Sequence, residues 1–187
     1  MASNTEHYQL PLPQIDPPAR LLIVVAPYYR KIADDLIAGA RRTAEQAGAA
    51  VDLVEVPGAL EIPTAIGLAA RSGRYDGFVG LGCVIRGETT HYDTVCNDSS
   101  RGLTLLGLQG VAIGNGILTV ENNDQAAVRA DPGGQDKGGG AAAAALHLIA
   151  LARKWPAGST RRSGGATAPA DRDPIRLAGV LDGGDSA

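Results

Sequence analysis

Short apolar runs rich in branched residues alternate along this chain with stretches of helical period, and that alternation limits its folds more than any other feature. Residues Leu21 to Ala26 are apolar without a break, the pattern of a strand buried on both faces. From Ile32 to Ala47 the apolar positions Ile32, Leu36, Ile37, Ala40, Ala44 and Ala47 recur at helical spacing, and Gly48 suits the stop. Val51 to Val56 reads as a second strand, which Pro57-Gly58 breaks. Leu60 to Arg71 reads as a helix that tolerates Pro63 because the proline falls in its first turn. A third strand over Asp76 to Ile85, a third helix over Tyr92 to Leu108 and a fourth strand over Val111 to Leu118 follow. A helix at Asn123 to Arg129 and an alanine-rich one from Lys137 to Lys154 complete the series. Every strand after the first is reached through a helical crossover. The expected fold is therefore α/β, a three-layer α/β/α sandwich around a four-stranded parallel sheet with right-handed connections.

Residues 1–19 hold four prolines and no apolar period, so they are expected to form a flexible N-terminal arm, with the domain over 20–155. Beyond Trp155 the chain turns to glycine, serine, proline, alanine and charges, and 156–187 are expected to be mostly disordered, with Ile175 to Leu181 a weak exception. A formal net charge of −3 argues against a nucleic-acid footprint, which needs a basic face. Cys83 and Cys96 lack metal-ligand spacing, and Cys83, at the end of an apolar strand, reads as a small buried thiol. No apolar run approaches the length of a membrane span and no leader pattern precedes residue 20, so the expectation is a soluble cytoplasmic protein with no membrane partner.

Chemistry concentrates where strands end. The third strand runs into Gly82-Cys-Val-Ile-Arg-Gly-Glu-Thr-Thr-His-Tyr-Asp93, an abrupt switch from apolar to polar at a strand-to-helix junction. Open parallel sheets bind ligands at the carboxyl ends of their strands. The helix that follows offers unpaired N–H groups to an anion, and Gly87 lets the backbone approach it closely. The first strand ends in Ala26-Pro-Tyr-Tyr-Arg30, the second in Val56-Pro-Gly-Ala-Leu-Glu-Ile-Pro63, and the fourth leads into Leu118-Thr-Val-Glu-Asn122. Aromatic, acidic and amide groups thus gather on the edge that holds His91. With aromatic residues at 4%, the pair Tyr28-Tyr29 stands out as a face for a flat heterocycle. Each group has a plainer role open to it. Glu61 can be a first-turn carboxylate favoured by the helix dipole, Tyr28 a rim residue, and His91 a helix-start residue satisfied by its neighbours. Arg129 can be a solvated helix-end charge and Lys137 a helix opener, while His7 and His147 read as structural.

These motifs, with Asp136-Lys-Gly138, resemble those of the 6,7-dimethyl-8-ribityllumazine synthases, in order and at matching separations over residues 20–154. The resemblance implies a flavodoxin-like fold assembled as pentamers. It also implies an enzyme without cofactor or metal, acting on two small molecules: 5-amino-6-(D-ribitylamino)uracil and 3,4-dihydroxy-2-butanone 4-phosphate. Their condensation to 6,7-dimethyl-8-ribityllumazine is the penultimate step of riboflavin biosynthesis. Carried over by position, His91 is the proton-transfer residue. Tyr28, Ala59, Leu60, Glu61, Cys83, Val84, Ile85 and Asn115 hold the pyrimidine. Glu88, Thr89 and Arg129 hold the phosphate, and Gly58, Gly87 and Lys137 support them. Asn115, Arg129 and Lys137 would come from a neighbouring subunit.

The chain departs from the family in places. Tyr28-Tyr29 replaces a common Phe-Asn pair, Cys83 stands where threonine is common, and Asn115 replaces an aromatic residue of some relatives. Gly138-Gly-Gly140 lacks an acidic residue often found after the lysine, which is expected to loosen the start of the last helix. The residues leave open whether pentamers stop there or pair into decamers or icosahedral 60-mers. Two rival readings also stay open, a non-catalytic flavin- or lumazine-binding paralogue and a shell former. Intact His91 and Arg129 weigh against a carrier, which has use for neither.

Overall fold

A computed structural model of the chain describes residues 10–155. The expectations for residues 1–9, including His7, and for 156–187, including Ile175 to Leu181, lie outside the described residues. Nine elements follow the expected order. They are β1 (Arg20–Val25), α1 (Arg30–Gln46), β2 (Ala50–Glu55), α2 (Glu61–Ala70), β3 (Gly77–Ile85), α3 (His91–Leu108), β4 (Ile113–Val120), α4 (Asn123–Ala130) and α5 (Lys137–Lys154). The strands form one parallel sheet in the order β2-β1-β3-β4.

Alternation along the central strand β1 sorts the core into two layers. Leu21, Ile23 and Val25 point to one face, where α1, α4 and α5 cover them with Leu36, Ala126 and Leu146 among others. Leu22 and Val24 point to the other, against Ile62 and Ile66 of α2 and Leu103 of α3. Chain order reverses between β1 and β3: the chain leaves β1 toward β2, and β3 leads to β4 on the opposite side.

Small residues set how closely α5 approaches its neighbours. A Cβ on Gly138 would overlap the carbonyl oxygen of Leu36 in α1, and one on Gly114 of β4 would overlap that of Ala141 in α5. Gly138 at the start of α5 therefore fits that helix against α1. The helix start is further fixed by Asp136, the N-cap residue, whose carboxylate accepts from the Gly139 N–H at 3.0 Å and pairs with Arg42 at 2.7 Å. That replaces the expected loosening with a capped and ion-paired helix start.

Two further expectations change. The fourth strand begins at Ile113, not Val111, because Val111 still belongs to the turn that closes α3, its N–H donating to the Leu106 carbonyl. It ends at Val120, since Thr119 and Val120 complete the ladder opposite Val84 and Ile85. At the other end of the chain, Leu12 and Ile15 pack against the first core layer, Ala19 is buried, and the Pro17 carbonyl accepts from Arg153. Leu12, Ile15 and Ala19 thus reach the core from a segment expected to be an arm rather than a core element.

Candidate active site

The reversal of strand order leaves a gap at the carboxyl ends of β1 and β3, the place where open α/β sheets bind ligands. Here β3 outruns β1. The last register pair is Val25 with Leu81, and the Ala26 N–H donates to the Leu81 carbonyl at 2.9 Å. Beyond that point β3 has a strand partner only on the β4 side. Backbone groups of alternate residues point to opposite edges, so Cys83 and Ile85 present N–H and C=O toward the open side, as Leu81 does. A strand edge of this kind can hydrogen-bond a flat heterocycle.

A cavity of about 460 Å³ occupies the gap, within the range of small-ligand sites. Its walls hold nine of the sequence-predicted residues: Tyr28, Gly58, Ala59, Leu60, Glu61, Cys83, Val84, Ile85 and His91. Tyr28 is 76% exposed at the rim of the cavity. Tyr29 packs its ring against the core and meets Tyr28 edge-on, 5.1 Å between centroids, so the deeper ring steadies the outer one. A Cβ on Gly58 would stand 2.9 Å from Glu61 Oε2, so glycine is what lets this carboxylate fold back over the turn. Burial pushes the Cys83 thiol up to about 11. It therefore stays protonated at neutral pH and offers no nucleophile.

Gly87, Glu88 and Thr89 are exposed on the short loop between Ile85 and His91 and do not line the cavity. Their N–H groups, with that of Thr90, find no backbone acceptor among the described residues. Thr90 also leaves the start of α3 without a side-chain cap. Free donors and the positive end of a helix are chemically suited to an anion.

The remaining predicted residues lie elsewhere. Asn115, Arg129 and Lys137 line a second pocket of about 440 Å³, formed by β4, α4 and the start of α5. No residue lines both this pocket and the His91 cavity. Asn115 turns its side-chain oxygen to the Ile117 N–H at 3.0 Å, which leaves its amide NH₂ for other partners. Arg129 donates to the Gln125 carbonyl at 3.0 Å and has no carboxylate partner among the described residues. Its guanidinium keeps donors for a ligand.

Sequence reasoning missed Ala26, Pro57 and Val95 in the cavity wall and gave no role to Arg86. Val95 sits four positions after His91, so helical spacing could have placed it on the same face. The partners of Arg86 lie as far off as Glu121, which only the topology brings near.

A sequence profile described as 6,7-dimethyl-8-ribityllumazine synthase matches residues 18–153. Among curated proteins bearing that name, one from Jannaschia sp. (strain CCS1) is 56% identical over 157 residues, covering 84% of this chain and 88% of its own. One from Novosphingobium aromaticivorans is 56% identical over 137 residues, covering 73% of this chain and 99% of its own. A third, from Zymomonas mobilis subsp. mobilis, is 53% identical and covers 73% and 98%. With a match over most of the described chain and a site at the expected strand ends, the chain belongs to the 6,7-dimethyl-8-ribityllumazine synthase family.

Proposed function

We propose that each active site of this lumazine-forming enzyme is shared by two copies of the chain within a homopentamer. One copy gives the His91 cavity, and the next gives the pocket of Asn115, Arg129 and Lys137. The observation that carries this reading is the division of the predicted residues between two cavities with no residue in common. The apolar side chains left exposed on α3 and α5, Leu105, Leu108, Leu148 and Leu151, supply surface for such an assembly.

In the reaction, the amine of 5-amino-6-(D-ribitylamino)uracil attacks the ketone of 3,4-dihydroxy-2-butanone 4-phosphate. Loss of water gives a Schiff base, phosphate leaves, and ring closure expels a second water. The open edge at Cys83 and Ile85 holds the pyrimidine, and Tyr28 covers its face. Glu61 accepts hydrogen bonds from the ribityl hydroxyls. The phosphate lies between the loop N–H groups of Glu88 and Thr89 and the Arg129 guanidinium, a fork suited to two phosphate oxygens. Lys137 adds charge there. His91 moves the protons.

The test is to mix the two substrates with the assembled protein and follow the lumazine chromophore against the uncatalysed rate. Acceleration is expected. Product no faster than the blank, from a folded oligomer that binds the pyrimidine, would turn the reading to a carrier or a shell. Sharing is tested by reassembling His91→Ala chains with Arg129→Ala chains. Some interfaces then regain both residues, and activity above the mean of the two variants is expected. Activity at that mean would put the whole site within one copy.

A further inference from the structure

The phosphate loop is exposed, and one side chain ties it down. Arg86 directs Nε to both carboxylate oxygens of Glu121, at 3.2 and 3.0 Å, and Nη1 to Asp93 Oδ1 at 3.3 Å. Its guanidinium lies over the ring of Tyr92, 4.0 Å from the centroid. Its own N–H donates to the Val120 carbonyl at 2.9 Å. Arg86 opens the loop, and Tyr92 and Asp93 follow His91 directly, so both ends of the loop are held by the same group. Glu121 fixes that group to the end of β4. Two carboxylates and an aromatic face thus already engage the guanidinium, through Nε and Nη1 and over its plane. In this it differs from Arg129.

We propose that Arg86 is a positioning residue for catalysis: through Glu121, Asp93 and Tyr92 it holds the β3–α3 loop and the first turn of α3, so that the phosphate-binding N–H groups and His91 stay in register. The proposal rests on the lumazine-forming reading above. A purely structural role explains the arrangement less well. The side chains of Arg86, Asp93 and Glu121 are 42%, 55% and 58% exposed, and ion pairs so open to solvent add little to stability. What they can do is restrict a loop that otherwise has few bonds of its own.

The experiment is steady-state lumazine formation by the assembled protein, varying each substrate in turn, for the parent, Arg86→Met, Arg86→Lys and Glu121→Gln. Misplaced groups are costly even at small displacements, so Arg86→Met should raise KM for the butanone phosphate about tenfold and lower kcat several-fold. KM for the pyrimidine and the melting temperature should hold, because the pyrimidine contacts, on β3, at Tyr28, at the start of α2 and at Asn115, lie outside the β3–α3 loop. Lysine keeps the charge but neither the fork nor the stacked plane, so Arg86→Lys should recover little of the loss. Glu121→Gln should show the same split in weaker form, and its effect should not add to that of Arg86→Met. Should Arg86→Met fail to fold, Glu121→Gln carries the test alone. Parent-like kinetics in Arg86→Met, or equal rises in both KM values, would overturn the positioning role while leaving the enzyme reading intact. A parent that makes no lumazine above the blank would remove that reading and this proposal with it.

Discussion

At the scale of single residues, the balance of effects decides what each substitution should do. Bringing two reactants together in the right geometry can be worth about 7–11 kcal/mol of barrier, whereas one general acid–base contributes roughly 10²–10⁴-fold. His91→Ala should therefore slow lumazine formation by about two orders of magnitude and still exceed the blank. A folded, substrate-binding His91→Ala protein with no turnover would show that proton transfer, not proximity, leads. Arg129 keeps donors to spare in its pocket. Its loss should raise KM for the phosphate substrate about tenfold or more, the order expected for a charge-assisted pair, and leave KM for the pyrimidine nearly unchanged. Equal effects on both substrates would remove its phosphate role. Among these residues the sequence was most readable where a strand end dictates position. His91, Glu61 and Tyr28 follow apolar runs, and the ends of neighbouring parallel strands must meet at one edge. It was least readable where contacts span strands. Arg86 stands within a polar stretch, yet nothing in spacing pairs it with Glu121, since that contact exists only once β3 and β4 are neighbours.

Elements show the same division between local pattern and tertiary demand. Strand and helix identities were legible because short unbroken apolar runs differ from apolar positions spaced at 3.6 residues. Ends were less so, and β4 shows why. Its first expected residues are taken by the turn after α3, and its last two, Thr119 and Val120, look like part of a polar motif until β3 extends far enough to pair with them. The start of α5 is the sharper case. Three consecutive glycines at a helix start read as weakness when only propensity is considered, but they are not equivalent. Gly138 touches the α1 backbone closely enough that any Cβ must push the helices apart, whereas a Cβ on Gly140 would meet nothing within 4 Å. Gly138→Ala should therefore destabilise the protein by about 1–3 kcal/mol, the usual cost of overpacking. Gly140→Ala should instead stabilise it by about 0.5–1 kcal/mol through helix propensity. Melting the two variants beside the parent checks both signs at once. A fall of similar size in each would mean that the glycines serve the helix start as a group and that the close approach at Gly138 is not what selects them.

For the whole molecule, the sheet decides what one copy can and cannot do. Strand order β2-β1-β3-β4 could not be read from the alternation, which fixes parallel pairing but not which strand lies beside which. That order puts the His91 cavity at the gap between β1 and β3, and the Arg129 pocket on the far strand β4. The apolar surface points the same way. Of the long helix α3 only Ser99 and Leu103 are fully buried, and Leu108 at its end is 81% exposed beside a third, largely apolar hollow of about 480 Å³ between α3, β4 and α5. A charge placed at this position would face no water if a second copy covers it, and a buried unpaired charge is strongly unfavourable. Leu108→Glu should consequently yield a smaller species by sedimentation, with helix content close to the parent's, because Leu108 is not part of either core layer of a single copy. Its lumazine-forming activity should fall together with assembly and recover in part as protein concentration rises, as the proposed sharing of each site by two copies requires. An assembled Leu108→Glu protein would place the contact on another face, and a dissociated one with full activity would return every catalytic group to a single chain.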